Sequence, residues 1–297
     1  MDRNSFPMDN LIRFDPLTLR DAANGELSLA VAGFDAASLF AEPRQEPYFS
    51  ILLVRRGAGK AIRDGAAFTF SAPCLLCFSI YQPYSLAADG VFEGVLLNFH
   101  PGFFCLFEHR REVSCNGVLF NNLYDTPVVE LGADVEALLT IALQMRDELG
   151  RPGPADRDVL LSFLKVFLIH ASRVKLEQQA DGSRQAAPIL GELTSAIETH
   201  YRTHHQAGDY EQLLHVSAAV LNKASKQYFG KTLTALIAER LIIEAKRQLY
   251  LTAKAVKEIA FELGYSDEFY FSRFFKKNVG VSPQVFRETV GYDKFVA

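Results

Sequence analysis

The chain has 297 residues, of which 49% are apolar and 22% charged, so it can bury two ordinary globular cores and is not a disordered polyelectrolyte. Four cysteines (Cys74, Cys77, Cys105, Cys115) are too few to staple a fold of this length. No apolar run reaches bilayer length, and "MDRNSFPMDN" lacks the apolar stretch of a signal peptide, so a cytoplasmic protein with reduced thiols and no membrane partner is expected. The net charge of −4 is uneven. Residues 1–187 hold 17 Lys and Arg against 23 Asp and Glu, a balance of −6. Residues 188–297 hold 14 against 12, a balance of +2. A polyanionic partner therefore fits the second part better.

In chain order, Tyr48–Leu86 comes first as a β region. Short β-branched and aromatic runs alternate there with Gly and Pro, and Asp64-Gly65 between apolar flanks marks a hairpin. "FEGVLLNFH" (Phe92–His100) adds a strand. So many short strands predict a sandwich or small barrel. The period then changes. Ala133–Gly150 and Pro154–Gln179 carry helical apolar spacing. In the second helix Val159, Phe163, Val166, Phe167 and His170 form one stripe, widened by Leu160, Leu164 and Ile169. A stripe this wide fits a dimer seam or packing against the chain's own β region. "ADGSRQAAP" (Ala180–Pro188) reads as a linker. The expected organisation is a β domain over 1–131, a helical segment over 132–179 that can serve dimerisation, a linker over 180–188 and a helical domain over 189–297.

The helical part repeats itself. Shifted by 50 positions, "HVSAAVLNKASKQYFGKTL" (His215–Leu233) falls on "YSDEFYFSRFFKKNVGVSP" (Tyr265–Pro283). Leu221 meets Phe271, Lys223 meets Arg273, Lys226 meets Lys276, Gly230 meets Gly280 and Thr232 meets Ser282. Ser217 and Asp267 match as N-caps. Each copy reads as a short helix, a tight turn and a second helix, the helix-turn-helix pattern, and Gly264 permits the second turn. The 18 residues Thr234–Leu251 between the copies form one helix of roughly 27 Å. That can hold two recognition helices near successive major grooves, roughly 34 Å apart.

Facing follows from 100° per residue. With Phe271 at the centre of the buried face, Phe274, Phe275 and Asn278 lie beside it. Phe269, Arg273 and Lys276 point outward, flanked by Ser272. The first copy buries Leu221, Ala224 and Ser225 and turns out Ala219, Lys223 and Lys226, with Asn222 beside them. Arg pairs with guanine and Asn with adenine in bidentate fashion. Lys226 and Lys276, later on their helices, suit phosphate. Phe269 can touch a thymine methyl. Exposed helix cations taken singly are usually just solvated. Repeat, turn, caps and matched cations together argue against that here.

On these residues, Ile259–Arg287 with His215–Leu249 ahead of them, the sequence resembles the AraC/XylS family of bacterial transcription regulators. The resemblance covers about 100 residues. It implies two helix-turn-helix units joined by a long helix behind a regulatory domain. It further implies binding to promoter DNA, activation more often than repression, and RNA polymerase as a partner. By position in the motif the readers are Asn222 and Lys223 in the first unit and Glu268, Phe269, Ser272 and Arg273 in the second; Glu268 can accept from cytosine. Ser225 departs from the pattern, which has a large apolar residue there, and Ala219 and Ala224 are small. The β region resembles the cupin-like barrel of the family's sensor domains. It lacks the His-x-His pair of metal-binding cupins, and His100 stands alone. The expected fold is thus α+β in two domains, a cupin-like β-barrel with a helical segment followed by an all-α double helix-turn-helix domain.

Other chemistry is sparse. Cys74 and Cys77 form Cys-x-x-Cys, but strand positions i and i+3 point to opposite faces, which suits buried apolar roles better than a metal. His200 and His204 have helical metal spacing with no third ligand nearby. No nucleophile triad, phosphate loop or carboxylate pair is present, so no enzyme, metal or cofactor is expected. Arg55, Tyr81 and Tyr84 are candidate contacts for a small-molecule effector inside the barrel, or simply cover its surface. Three readings stand. They are a regulator under effector or homodimer control, a ligand-independent regulator, and an enzyme built on the barrel.

Overall fold

A computed structural model describes residues 14–22, 25–88, 90–104, 118–120, 123–182 and 188–290. They fall into two compact units. One comprises Met1–Phe120 and Pro127–Gln179, the other Asn121–Thr126 and Ala180–Ala297. Cys105 and Cys115, and positions 183–187 of the segment read as a linker, lie outside the described residues.

The first unit is built on β1 (Leu17–Arg20), β2 (Leu27–Phe34), β3 (Phe49–Arg56), β4 (Ala58–Arg63), β5 (Ala66–Ser71), β6 (Cys74–Phe78), β7 (Tyr84–Ala88), β8 (Glu93–Phe99) and β9 (Val128–Glu130). All pairings are antiparallel. The described strands form two sheets, ordered β1-β2-β8-β3-β6-β9 and β5-β4-β7. The expected closed cupin barrel is therefore corrected to a pair of sheets. The chain changes sheet at corners that interrupt the ladder. Gly57 between β3 and β4 has φ +119°, and a Cβ there would stand 2.6 Å from the Val91 carbonyl oxygen. Ala72-Pro73 separates β5 from β6, where Pro has no N–H to donate. The β4–β5 hairpin closes at Arg63↔Ala66, with Asp64 at φ 50° and Gly65 at φ 78°. Positive φ at both loop positions is the type I′ turn that Asp-Gly favours.

Between the sheets lies an aromatic core. Phe34, Phe40, Phe70, Phe78, Tyr84 and Phe92 are buried together with Leu52, Val54, Leu76 and Leu86. Phe34 and Phe40 meet edge to face at 5.4 Å, and Phe78 stacks flat on Tyr84 at 3.9 Å. Each such ring withdrawn from water contributes about 1.5–3 kcal/mol.

Two helices follow, α1 (Val135–Leu149) and α2 (Arg157–Gly182). Leu160, Leu164, Phe167, Leu168 and Ala171 form the buried face of α2. Of the stripe expected from the sequence only Phe167 is buried. Val159, Phe163 and His170 are half-buried and Val166 is exposed. Lys175, also buried, donates to the Val128 carbonyl at 3.0 Å, which ties α2 to β9.

The second unit contains α3 (Pro188–His200), α4 (Ala207–Leu214), α5 (Ala218–Phe229), α6 (Leu233–Leu251), α7 (Val256–Glu262), α8 (Glu268–Val279) and α9 (Pro283–Val290). Its core takes Leu193 and Ile197 from α3, Tyr210 from α4, Leu221 from α5, Leu236 and Leu241 from α6, Phe271 and Phe275 from α8, and Phe286 from α9.

Candidate nucleic-acid interface

The repeat becomes two helix-turn-helix units, α4–α5 and α7–α8, with α6 between them. Equivalent side chains cap both second helices. Ser217 Oγ accepts from Val220 N at 3.4 Å, and Asp267 accepts from Phe269 N at 2.9 Å and Tyr270 N at 3.2 Å. Gly230 (φ 70°) and Gly280 (φ 86°) end them in the left-handed conformation. Thr232 and Ser282 then cap α6 and α9 through Ala235 N and Val285 N. Satisfying these orphan N–H groups contributes on the order of 1 kcal/mol per cap.

Exposure repeats along with conformation. From Ala218 to Gly230 the sequence of buried, half-buried and exposed positions is the same as from Glu268 to Gly280, residue for residue. Leu221, Ser225 and Phe229 are buried in α5; Phe271, Phe275 and Val279 are buried in α8. Ala219, Lys223 and Lys226 are exposed, as are Phe269, Arg273 and Lys276. Glu268 and Ser272 are half-buried. Phe269 is 75% exposed, far beyond what a core ring tolerates. Lys223, Lys226, Arg273 and Lys276 make no ion pair within 4.0 Å among the described residues, whereas many acidic groups of this unit are engaged. Lys231–Glu239, Arg240–Glu198, Arg247–Glu244 and Lys254–Glu262 all pair. Lys223, Lys226, Arg273 and Lys276 thus stand on the outer faces of α5 and α8 without an ion-pair partner among the described residues.

Asn222 and Asn278 differ from the facing arithmetic. Asn222 is half-buried, and its Oδ1 accepts from Leu233 N at 3.1 Å, so its carboxamide oxygen serves the start of α6. Asn278 is exposed and donates to the Phe274 carbonyl at 2.8 Å. The buried stripe Phe271–Phe275–Val279 advances about 40° every four residues, so its centre lies past Phe271 and Asn278 falls outside it. Phe275 meets Phe286 of α9 at 5.6 Å, the packing that sets this centre. The departure at Ser225 is resolved as well. Its hydroxyl donates to the Lys231 carbonyl at 2.7 Å, a polar contact where Phe275 places a ring.

The same register adds two exposed pairs that single-helix arithmetic missed, Gln227 with Lys277 and Val220 with Tyr270. The alignment at 50 residues already pairs them in the sequence.

The candidate effector contacts in the first unit have partners of their own. Arg55 Nη1 lies 3.7 Å from Glu93 Oε1. Tyr81 adopts φ 50°, donates its N–H to the Glu46 carbonyl and accepts from Gln45. Tyr84 is buried, its ring stacked on Phe78 and its backbone exchanging hydrogen bonds with Arg44. Cys74 and Cys77 are buried free thiols, each pushed up to about 12 by burial. The His200 and His204 rings sit 5.2 Å apart, edge to face, with Thr203 Oγ1 2.8 Å from His204 Nδ1. No described helix is long and apolar enough to cross a membrane.

Residues 210–289 match a family model described as a helix-turn-helix domain. The HTH-type transcriptional activator Btr of Bacillus subtilis (strain 168) is 40% identical over 77 residues, 26% of this chain and 15% of Btr. The HTH-type transcriptional activator RhaS of Salmonella schwarzengrund (strain CVM19633) is 24% identical over 154 residues, 52% of this chain and 53% of RhaS. The chain thus spans about half or less of the length of these relatives. Among solved structures, the C-terminal domain of AraT, a response regulator from Geobacillus stearothermophilus, is 28% identical, with a TM-score of 0.36 over 38% of this chain and 94% of that one. With two capped helix-turn-helix units in register and a helix-turn-helix family model matching residues 210–289, the second unit carries a helix-turn-helix domain of the AraC family.

Proposed function

We propose that the protein is a sequence-specific regulator of transcription, acting chiefly as an activator, that places α5 and α8 in successive major grooves of promoter DNA. The observation that carries this is the identical exposure of the two helices, each presenting unpaired cations on its outer face. In this reading Lys223, Phe269 and Arg273 meet base edges, with Ala219, Glu268 and Ser272 alongside them, and Lys226 and Lys276 meet phosphate. Asn222 braces α6 with its oxygen and has its amide left for DNA. The protein works in the cytoplasm, with RNA polymerase as its partner at the promoter. Fluorescence anisotropy of the full chain with duplex from upstream of its own gene tests this. Binding at least tenfold tighter than to random duplex at matched salt is expected; equal affinity overturns the reading.

The first unit regulates this binding, through a small molecule or through homodimerisation. The ring-filled space between the sheets, with Tyr84 buried and stacked on Phe78, favours control by association over an effector held there. Val159, Phe163, Val166 and His170 leave a partly exposed stripe on α2 for a second copy. A dimer that dissociates on Val166→Glu, seen by analytical ultracentrifugation, supports association. A monomer at all concentrations returns the choice to an effector.

A further inference from the structure

The DNA-reading proposal requires the two recognition helices to keep one separation, and α6 is not the only part that holds them. Four residues, Thr252–Ala255, join α6 to α7. α7, α8 and α9 all pack on α6, and the loop between α3 and α4 adds a further hold at the turn of this second helix pair.

The loop is anchored on α6 first. Arg240 of α6 lies over the Tyr201 ring at 3.9 Å and bonds Glu198 of α3 at 2.8 Å. Arg202 reaches Glu244 of α6 at 3.5 Å. The same loop then crosses to the turn of the second repeat. Gly264 there has φ +81°, and a Cβ on it would collide with the Arg202 carbonyl oxygen and meet His205 Cε1 at 3.3 Å. His205 lies against the Tyr265 ring, with centroids 4.9 Å apart. Tyr265 is buried and in turn touches Tyr270, Phe271 and Phe274 of α8, at 5.9, 5.3 and 5.5 Å. It stands two residues before Asp267, the N-cap of α8. The N-terminal end of a recognition helix is the end that meets base edges. Whatever tilts Tyr265 therefore tilts the reading end of α8.

Among the described residues, the turn of the first repeat has no equivalent of the Gly264 and Tyr265 contacts, because Leu214 and His215 stand at those positions. Its left-handed residue is His215, one position later than the equivalent of Gly264. The clamp is thus a feature of one junction and not of the helix-turn-helix motif itself. We propose that Arg202 and His205, seated on Gly264 and Tyr265, are positioning residues that fix the separation of the two DNA sub-sites the protein accepts. One base pair of change moves a sub-site by about 3.4 Å along the duplex and rotates it by about 35°, more than a doubly anchored helix can follow.

This inference rests on the DNA-reading proposal, and one experiment separates the two. The full chain, unaltered and as His205→Ala and Tyr265→Leu, is used to select binding sites from random-sequence duplexes, and thermal melts check that each variant folds. The unaltered chain should yield a bipartite site of one spacing, and lose roughly tenfold in affinity when the sub-sites move by one base pair. A folded variant should select the same two sub-sites but accept neighbouring spacings with less than about threefold loss. His205 is partly exposed, so its variant keeps the test open if Tyr265→Leu does not fold. Sub-sites and spacing both unchanged in a folded variant overturn the clamp. Selection of no bipartite site by the unaltered chain overturns the reading beneath it, and the clamp with it.

Discussion

Ser225 Oγ donates to the Lys231 carbonyl at 2.7 Å, both residues are buried, and the equivalent of Ser225 in the second repeat is Phe275. One repeat therefore closes the joint between its recognition helix and the next helix with a hydrogen bond, the other with a ring. Ser225→Ala takes this hydroxyl donor away from a buried carbonyl. It should destabilise the second unit by about 1–3 kcal/mol in urea denaturation, with a smaller loss pointing to a replacement donor.

Lys231 also carries an ion pair, its buried Nζ 2.6 and 2.7 Å from the two oxygens of the half-buried Glu239. Removing one partner strands the other charge. Glu239→Ala should cost about 3–5 kcal/mol, and the double change Lys231→Met, Glu239→Leu should cost much less. Equal losses for the single and double variants in thermal melts would rule out charge stranding as the cause.

Arg273, Lys276 and Phe269 should separate by phenotype. Arg273→Ala should weaken specific binding by about 1–3 kcal/mol and relax preference at one position. Lys276→Ala should weaken binding to all sequences alike and reduce the salt slope by about one. Phe269→Ala should leave the melting temperature unchanged, because the ring is exposed, while altering affinity for DNA. A large fall in its melting temperature would show the ring to be structural.

Glu244 gives the second unit an acid limit. Burial raises its carboxyl pKa, but the hydrogen bond and charge of Arg247, with Gln248 and Arg240, outweigh that and hold it below 4.5. A depressed folded-state pKa means the stabilisation is fully present above the unfolded value and disappears as pH falls through the folded one. Stability should therefore drop below about pH 4.5, and Glu244→Gln should flatten that drop while lowering stability at neutral pH. An unchanged acid limb in the variant would assign the limit to other carboxylates.

Cys74 and Cys77 are buried on β6 with thiols raised to about 12, so almost no thiolate forms near neutrality. Alkylation of the native protein at pH 8, mapped by mass spectrometry, should leave both unmodified until denaturant is added. Rapid native labelling of either would contradict its burial.

Much of the candidate nucleic-acid interface is legible in the chain because it is local. Asp64-Gly65 dictates its turn through two positive φ angles, and Ser217, Asp267, Gly230 and Gly280 dictate helix ends through groups within four residues of themselves. The 50-residue repeat transfers each of these across the domain. What a side chain faces at long range is different, because its direction depends on the element that packs over it. The spacing of α8 does not reveal that Phe286 pulls the buried face past Phe271 and turns Asn278 out. Nor does the spacing of α2 reveal that Leu164 and Leu168 lie inside while Val166 lies outside. That residues 48–100 hold short strands was readable, but corners such as Gly57 decided that the strands form two sheets and not one closed barrel.

The sequence by itself therefore determined the two helix-turn-helix units, their caps and the cations on their outer faces, since all of these follow from periodicity and backbone preference over a few residues. Only the tertiary structure decided that Asn222 turns its oxygen to Leu233, that Ser225 replaces a ring with a hydrogen bond, and that Arg202 and His205 seat on Gly264 and Tyr265. Those contacts join residues 6 to 62 positions apart, and no local pattern encodes which surfaces will meet when the helices pack.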